Sequence, residues 1–207
     1  MAEIDRDKSG RRRQADRSQA TRRKLFEATI ELLVERGYAG TSTQEVAERA
    51  GVSRGAMLHH FSTRAELMSG TLSFLYQNEI EDFLTHIDLS NDLDLVEVVW
   101  GLYRRPEAKA VFELWLAARN DAELGAVMAP DMERVHEIYR GLWEPIARFL
   151  YPAGSDLEIS AYKTRFDMAL ATLMGMAVAK ALVPSAKLMD DEETVLSLLR
   201  ETLRPSL

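Results

Sequence analysis

The sequence predicts an all-α fold: a small N-terminal head of three helices with a helix-turn-helix, followed by a longer helical bundle. Three observations lead there. Apolar residues recur at helical spacing in one segment after another, and no stretch alternates as a half-buried strand would. The segments are separated by capping residues, glycines and prolines. Between Thr41 and Arg64 two short helical patterns flank a tight turn containing Gly51, which is the helix-turn-helix arrangement.

In chain order, residues 1–17 hold Arg6, Lys8, Arg11, Arg12, Arg13 and Arg17 with no hydrophobic period, so a basic arm disordered when free is expected. It serves either as an arm along phosphates or a minor groove, or as a solvated tail. From Ser18 to Arg36, the positions Leu25, Ala28, Leu32 and Leu33 form one apolar helix face, and Gly37 ends it. Ser42 with Glu45 has capping-box spacing and starts a helix over Thr43–Ala50 that buries Val46, Ala47 and Ala50. Gly51 supplies a left-handed C-cap, and Ser53 caps a second helix through His60. Met57 and Phe61, four apart, face inward there, which turns Arg54, Ala56, Leu58 and His60 outward. Thr63 with Glu66 repeats the capping box and opens a third helix running to about residue 87, with Arg64 in its first turn.

Ser90-Asn91-Asp92 reads as a turn before a helix that ends near Arg105, with Pro106 a stop or first-turn residue. Helices over about 107–120 and 121–151 follow, the second expected to be kinked by Pro130 and Pro145. After the break Tyr151-Pro152-Ala153-Gly154 come 156–183 and 190–203, divided by Pro184-Ser185. The domain division expected is therefore 1–17, 18–64 and 65–207.

Composition narrows the function classes. With 207 residues, 46% hydrophobic and 29% charged, the chain is long enough for a sizeable core and ordinary for a globular protein. The absence of cysteine excludes disulfides, thiol catalysis and thiolate metal sites. The N-terminus has no apolar signal core, and the longest uncharged apolar run, Met168–Ala179, is too short to span a bilayer. A cytoplasmic protein with no membrane partner is expected. Residues 1–64 carry a net +4 and residues 65–207 a net −11, within the overall −7. A basic head on an acidic body suits nucleic-acid binding confined to the head. His86 and His136 stand alone, and His59-His60 point about 100° apart on a helix, a poor geometry for one metal. No phosphate loop, nucleophile elbow or Ser/His/Asp set can be picked out, so no cofactor, metal or catalytic residue is assigned.

Gly51-Val52-Ser53-Arg54-Gly55-Ala56, His60-Phe61 and Ser62-Thr63-Arg64 with Leu67 resemble the DNA-binding signature of TetR-family transcriptional regulators, over about residues 18–67. Leu58 stands where that family usually has a DNA-contacting Tyr, and Arg64 where Lys is usual. The resemblance implies a dimer that binds an operator in double-stranded DNA and answers to a small-molecule effector. On that reading Arg54, Gly55, Ala56 and His60 enter the major groove. Arg54 and His60 can bond base edges, and Ala56 or Leu58 can touch a thymine methyl. Thr43, Gln44, Ser53 and Arg64 complete the DNA set at helix starts, where phosphate contacts are expected.

The body offers two further candidate sets. The family enclosing a small-molecule pocket in the corresponding region, the large side chains Trp100, Tyr103, Phe112, Trp115, Met128, Tyr139, Trp143 and Phe166 are candidate effector walls. Each is also a plausible plain core residue. The small residues of the penultimate helix, with Ala171, Gly175 and Val178, and the leucines Leu196, Leu199 and Leu203 of the last, are candidates for a four-helix dimer interface. They would otherwise complete the monomer core. A regulator without an effector and an all-helical enzyme are the competing readings.

Overall fold

A computed structural model describes residues 2–86, 94–182 and 191–204. The turn expected at Ser90-Asn91-Asp92, the break at Pro184-Ser185 and the side chains of His86 and Tyr139 lie outside the described residues. Among these residues every regular element is helical: α1 Ala2–Arg36, α2 Thr43–Arg49, α3 Arg54–His60, α4 Arg64–His86, α5 Leu95–Tyr103, α6 Pro106–Asn120, α7 Ala122–Leu150, α8 Asp156–Leu182 and α9 Glu192–Leu203. Among them, no helix is long and apolar enough to cross a membrane.

The local signals act as the sequence predicts. Ser42 and Glu45 exchange side-chain and backbone bonds in a complete capping box, and Ser53 Oγ accepts from the Ala56 amide. Gly37 and Gly51 are the two positive-φ residues among those described, at +68° and +65°, where a Cβ would be strained. Pro106 is the first residue of α6, where its missing N–H costs nothing. α7 continues through Pro130 and Pro145.

One expectation is corrected at the N-terminus. Residues 1–17, read as a disordered arm, belong to α1 from Ala2 onward. Arg, Lys, Gln and Ala propagate a helix at little cost once the packed segment from Leu25 on has nucleated it.

The chain divides into two compact units, Met1–Leu75 with Glu113–Met128, and Tyr76–Phe112 with Ala129–Leu207. The head thus extends past residue 64, because Leu67, Met68 and Leu72 of α4 are fully buried. It also includes the end of α6 and the start of α7. Its core joins Leu25, Phe26, Ala28 and Leu32 of α1 to Val46 and Ala47 of α2, Met57 of α3, and Phe61 and Leu67. In the second unit α5, α8 and α9 pack on one another around the fully buried Trp100. Its indole N–H donates to Glu192 at 2.8 Å, and Arg200 binds Asp94 at 2.7 Å, tying α9 to the start of α5.

Candidate nucleic-acid interface

The reading face of α3 is set by what the helix buries. Met57 is 1% exposed, and the Phe61 ring lies 5.4 Å from that of Phe26 on α1. With that side fixed, Arg54, Gly55 and Leu58 are exposed, and Ala56 and His60 are half-buried. Leu58, 46% exposed, is a large apolar side chain that folding leaves in water. On α2, Gln44 is exposed and donates to Glu48 at 3.0 Å, while Thr43 is half-buried. The Ser53 hydroxyl oxygen is engaged as the α3 cap.

Ion pairs hold α2 on α1. The Arg49 guanidinium takes Glu35 bidentately at 3.0 and 2.9 Å and Glu31 at 3.0 Å, and Arg36 meets Glu45 at 2.6 Å. The bond from Arg49 keeps the Glu35 carboxyl below its ordinary range.

Arg64 is placed differently from the expectation that it fixes a phosphate. Its Nε donates to the Thr41 carbonyl at 3.1 Å, and Nη2 to the Tyr38 carbonyl at 2.5 Å. Its Cζ lies 3.8 Å from the Tyr38 ring centroid. The physical reason is local: a cation in the first turn of a helix opposes the macrodipole, and backbone carbonyls plus an aromatic face compensate it. Arg64 thus organises the loop between α1 and α2.

Tyr38 is the centre of that arrangement. Its backbone N–H donates to Glu113 Oε2 at 2.9 Å, and its hydroxyl donates to Asp121 Oδ2 at 2.7 Å. Asp121 also caps α7 by accepting from the Leu124 amide at 3.0 Å. That amide, with the Tyr38 hydroxyl next in importance, holds the Asp121 carboxyl below its ordinary range. Burial first, then the bond to Asp121, pushes the Tyr38 phenol up. A Cβ on Gly37 would stand 2.7 Å from Glu113 Oε2, the movable end of a side chain, so it is the φ of +68° rather than this approach that favours glycine there.

Beside α3 lies an open groove of about 510 Å³, lined by Gln14, Ala15, Arg17, Ser18 and Thr21 of α1 with His59 and His60 of α3. The two imidazoles are edge to face at 5.5 Å. Burial, then His59 and Arg22, holds His60 below the ordinary histidine range.

The candidate effector residues are divided between the two units. Trp115 and Met128 fall in the first unit, and Trp100, Tyr103, Phe112, Trp143 and Phe166 in the second. Two aromatic pairs are brought together, Trp143 with Phe166 at 3.6 Å and Tyr103 with Phe112 at 6.3 Å. Burial raises the Tyr103 phenol to about 12. Trp100 is tied to Glu192 and serves the packing of α5, α8 and α9.

The candidate dimer residues separate into two classes. Leu196, Leu199 and Leu203 are 3–8% exposed and complete the chain's own core, so they are not free to meet a partner. Ala171 and Gly175 are exposed and Val178 half-buried. Met168 and Leu198, which the sequence reading did not single out for this role, are 51% and 56% exposed.

Sequence reasoning gave no functional role to Tyr38, Glu113, Asp121, Ser18 or His59. Asp121 does carry a signal, standing as an N-cap just before α7. Nothing in the sequence pairs it with a tyrosine 83 positions earlier.

The comparisons with known proteins agree with this geometry. A family profile described as bacterial regulatory proteins, tetR family, matches residues 25–70. The HTH-type transcriptional regulator CymR of Pseudomonas putida is 46% identical over 138 residues, covering 64% of this chain and 68% of its own. Among solved structures, a transcriptional regulator from Rhodococcus sp. Rha1 superposes with a TM-score of 0.63 at 24% identity, over 88% of this chain and 93% of that one. The multidrug binding protein EbrR, complexed with ethidium, gives 0.57 at 24% identity over 88% and 97%. At that identity, the structural likeness speaks for the fold alone.

Proposed function

The chain belongs to the tetR family of bacterial regulatory proteins and is a DNA-binding regulator of transcription rather than an enzyme, and from that premise we propose that it acts as a cytoplasmic homodimeric repressor released by a small, mostly apolar molecule. The observation that carries the DNA-binding mode is the locked orientation of α3. Met57 and Phe61 fix its inner side, so Arg54, Gly55 and Leu58 can enter a major groove while His60 lies at its margin. Arg54 has no acidic partner among the described residues, which leaves its fork available for a guanine edge. Two heads one helical turn apart, about 34 Å, would read a palindrome.

The second partner copy would sit on the outer face of α8 and α9. Met168, Ala171, Gly175 and Leu198 supply exposed apolar or small surface there.

For the effector, what supports the reading is the set of aromatic residues in the second unit, with Trp143 beside Phe166, together with one polar group. The Tyr162 hydroxyl is buried and has no hydrogen-bond partner among the described residues. Tyr162 lies one turn from Phe166 on α8, so a flat apolar molecule able to accept one hydrogen bond suits this wall. The complex of EbrR with ethidium is a precedent in the same fold.

Control of the head would pass through Tyr38. Helices α4, α6 and α7 each run through both units, and the head ends of α6 and α7 hold Tyr38 through Glu113 and Asp121. A ligand that shifts either helix displaces the α1–α2 loop and with it α2 and α3. A release of about 100-fold requires that the ligand prefer the released state by about 2.7 kcal/mol.

The test is an anisotropy titration of a duplex taken from the DNA upstream of the chain's own gene, against a scrambled duplex. Preference for the native duplex, lost in Arg54→Ala, is expected. Absence of DNA binding at low salt would overturn the reading.

A further inference from the structure

We propose that the groove between α1 and α3 holds a backbone phosphate of bound DNA, and that seating it there draws a proton onto the His59/His60 pair. The inference rests on the DNA-binding reading and extends the footprint from the helix-turn-helix onto α1.

The geometry selects this occupant. Gln14, Arg17, Ser18 and Thr21 recur at helical spacing and so share one face of α1, spanning about 10 Å at 1.5 Å per residue. Opposite them stand the two imidazoles at the end of α3. An amide, a guanidinium, a serine hydroxyl and two ring nitrogen pairs all offer donors, and among the described residues the lining contains no carboxylate. A pocket for a small apolar molecule would be enclosed, whereas this one is open and bordered by an amide, a guanidinium, two hydroxyls and two imidazoles. Its His59 is exposed on α3, as Arg54 and Leu58 are. The residues leading into it are cationic as well: between 1 and 24 the chain has nine Lys or Arg against four Asp or Glu. A duplex seated on α3 therefore meets a segment of the chain with an excess of positive charge.

The charged groups bearing on the pair are Arg17 and Arg22 of α1 and the imidazoles themselves. Arg22 stacks over Phe61 at 5.2 Å, next to His60 in the chain. Cations and partial burial disfavour a further positive charge, and His60 in the free protein is accordingly held below the ordinary value. A phosphate reverses the balance. It adds a negative charge within reach of both rings and satisfies the extra N–H that protonation creates. The sign follows by linkage. The bound form has the higher affinity for protons, so the contribution to binding is complete below the free-state value, which lies under 6.5, and is lost as pH rises through the bound-state value.

The probe is a duplex of mixed sequence, since a phosphate contact needs no operator. Its affinity is measured at constant ionic strength from about pH 5.5 to pH 8, with calorimetric titrations in buffers of differing ionisation heat to count protons. Affinity is expected to fall with rising pH, by up to about tenfold per pH unit for each proton taken up, with net uptake near neutrality. His59→Gln with His60→Gln removes the uptake and flattens the profile. Arg17→Ala, at an exposed position where folding is not at stake, lowers the salt slope by about one. Binding that is independent of pH, a slope that survives the double variant, or an Arg17→Ala salt slope equal to the parent's overturns the inference. Failure to bind the duplex at any pH and low salt overturns the DNA-binding reading itself.

Discussion

Substituting Gly175 by leucine separates folding from assembly. A Cβ built at Gly175 meets no atom within 4 Å, and the residue is exposed on α8. Leucine is therefore accommodated in the protomer, and the helix gains about 0.8–1 kcal/mol from replacing glycine in its interior. At a two-fold interface the added side chain is met twice. Overpacking costs about 1–3 kcal/mol at each site, so the proposed dimer loses about 2–6 kcal/mol, a weakening of roughly thirtyfold to twenty-five-thousandfold. The opposite signs are the useful part: the protomer becomes slightly more stable while the dimer comes apart. Sedimentation over a concentration series reads the second effect, and helicity of the dissociated protomer reads the first. Operator affinity should fall with dissociation, because one head sees only one half-site. A variant as firmly dimeric as its parent would remove the outer face of α8 from the interface, and an unfolded variant would refute the claim that Gly175 faces open space.

Three further outcomes follow from the head. Met57→Ala, at a fully buried position under α3, should cost about 2–5 kcal/mol in urea unfolding and loosen the reading helix. Arg64→Lys keeps the charge but cannot hold two carbonyls and stack on Tyr38 at once, so it should weaken DNA binding with an unchanged salt slope; a slope lowered in Arg64→Ala would restore the phosphate role. Tyr38→Phe keeps the ring, the amide bond to Glu113 and the stacking of Arg64 and loses only the hydroxyl's bond to Asp121. It should leave the melting temperature nearly constant and reduce the ratio of operator affinities without and with effector, and an unaltered ratio would exclude Tyr38 from the coupling.

What was legible in the sequence is what neighbours decide. Ser42 with Glu45, Gly37, Gly51, Ser53 and Pro106 act on residues within four positions of themselves, and their elements begin and end within a few residues of expectation. The face of α3 was legible for the same reason, since Met57 and Phe61 fix it by helical period. The Tyr38 junction was not, because its partners lie 75 and 83 positions away and no period links them. The leucines of α9 show a different limit. Their spacing marks an apolar face, but spacing is the same whether that face meets the chain's own α5 and α8 or a second copy. Burial within one chain decides it, and Leu196, Leu199 and Leu203 are used up there.

The basic head can then be sorted by what each cation already does. Arg23 pairs with Glu27 at 2.9 Å, Arg36 with Glu45, and Arg49 with Glu31 and Glu35. Arg64 is spent on carbonyls, and Arg22 lies over Phe26 and Phe61. Apart from Arg23, whose exposed pair lies within α1, these side chains tie α1 to the α1–α2 loop, to α2 or to Phe61, and moving one of them onto DNA would forfeit that contact. Arg54 on α3 and Arg17 and Lys24 on α1 have no acidic partner among the described residues, and Arg17 lines the groove together with the two histidines. Net charge therefore overstates the number of cations that DNA can recruit. The arrangement predicts a modest salt dependence from residues 14–64, set by Arg17, Lys24, Arg54 and whatever charge the histidines acquire, and a sequence preference resting mainly on Arg54 and Leu58.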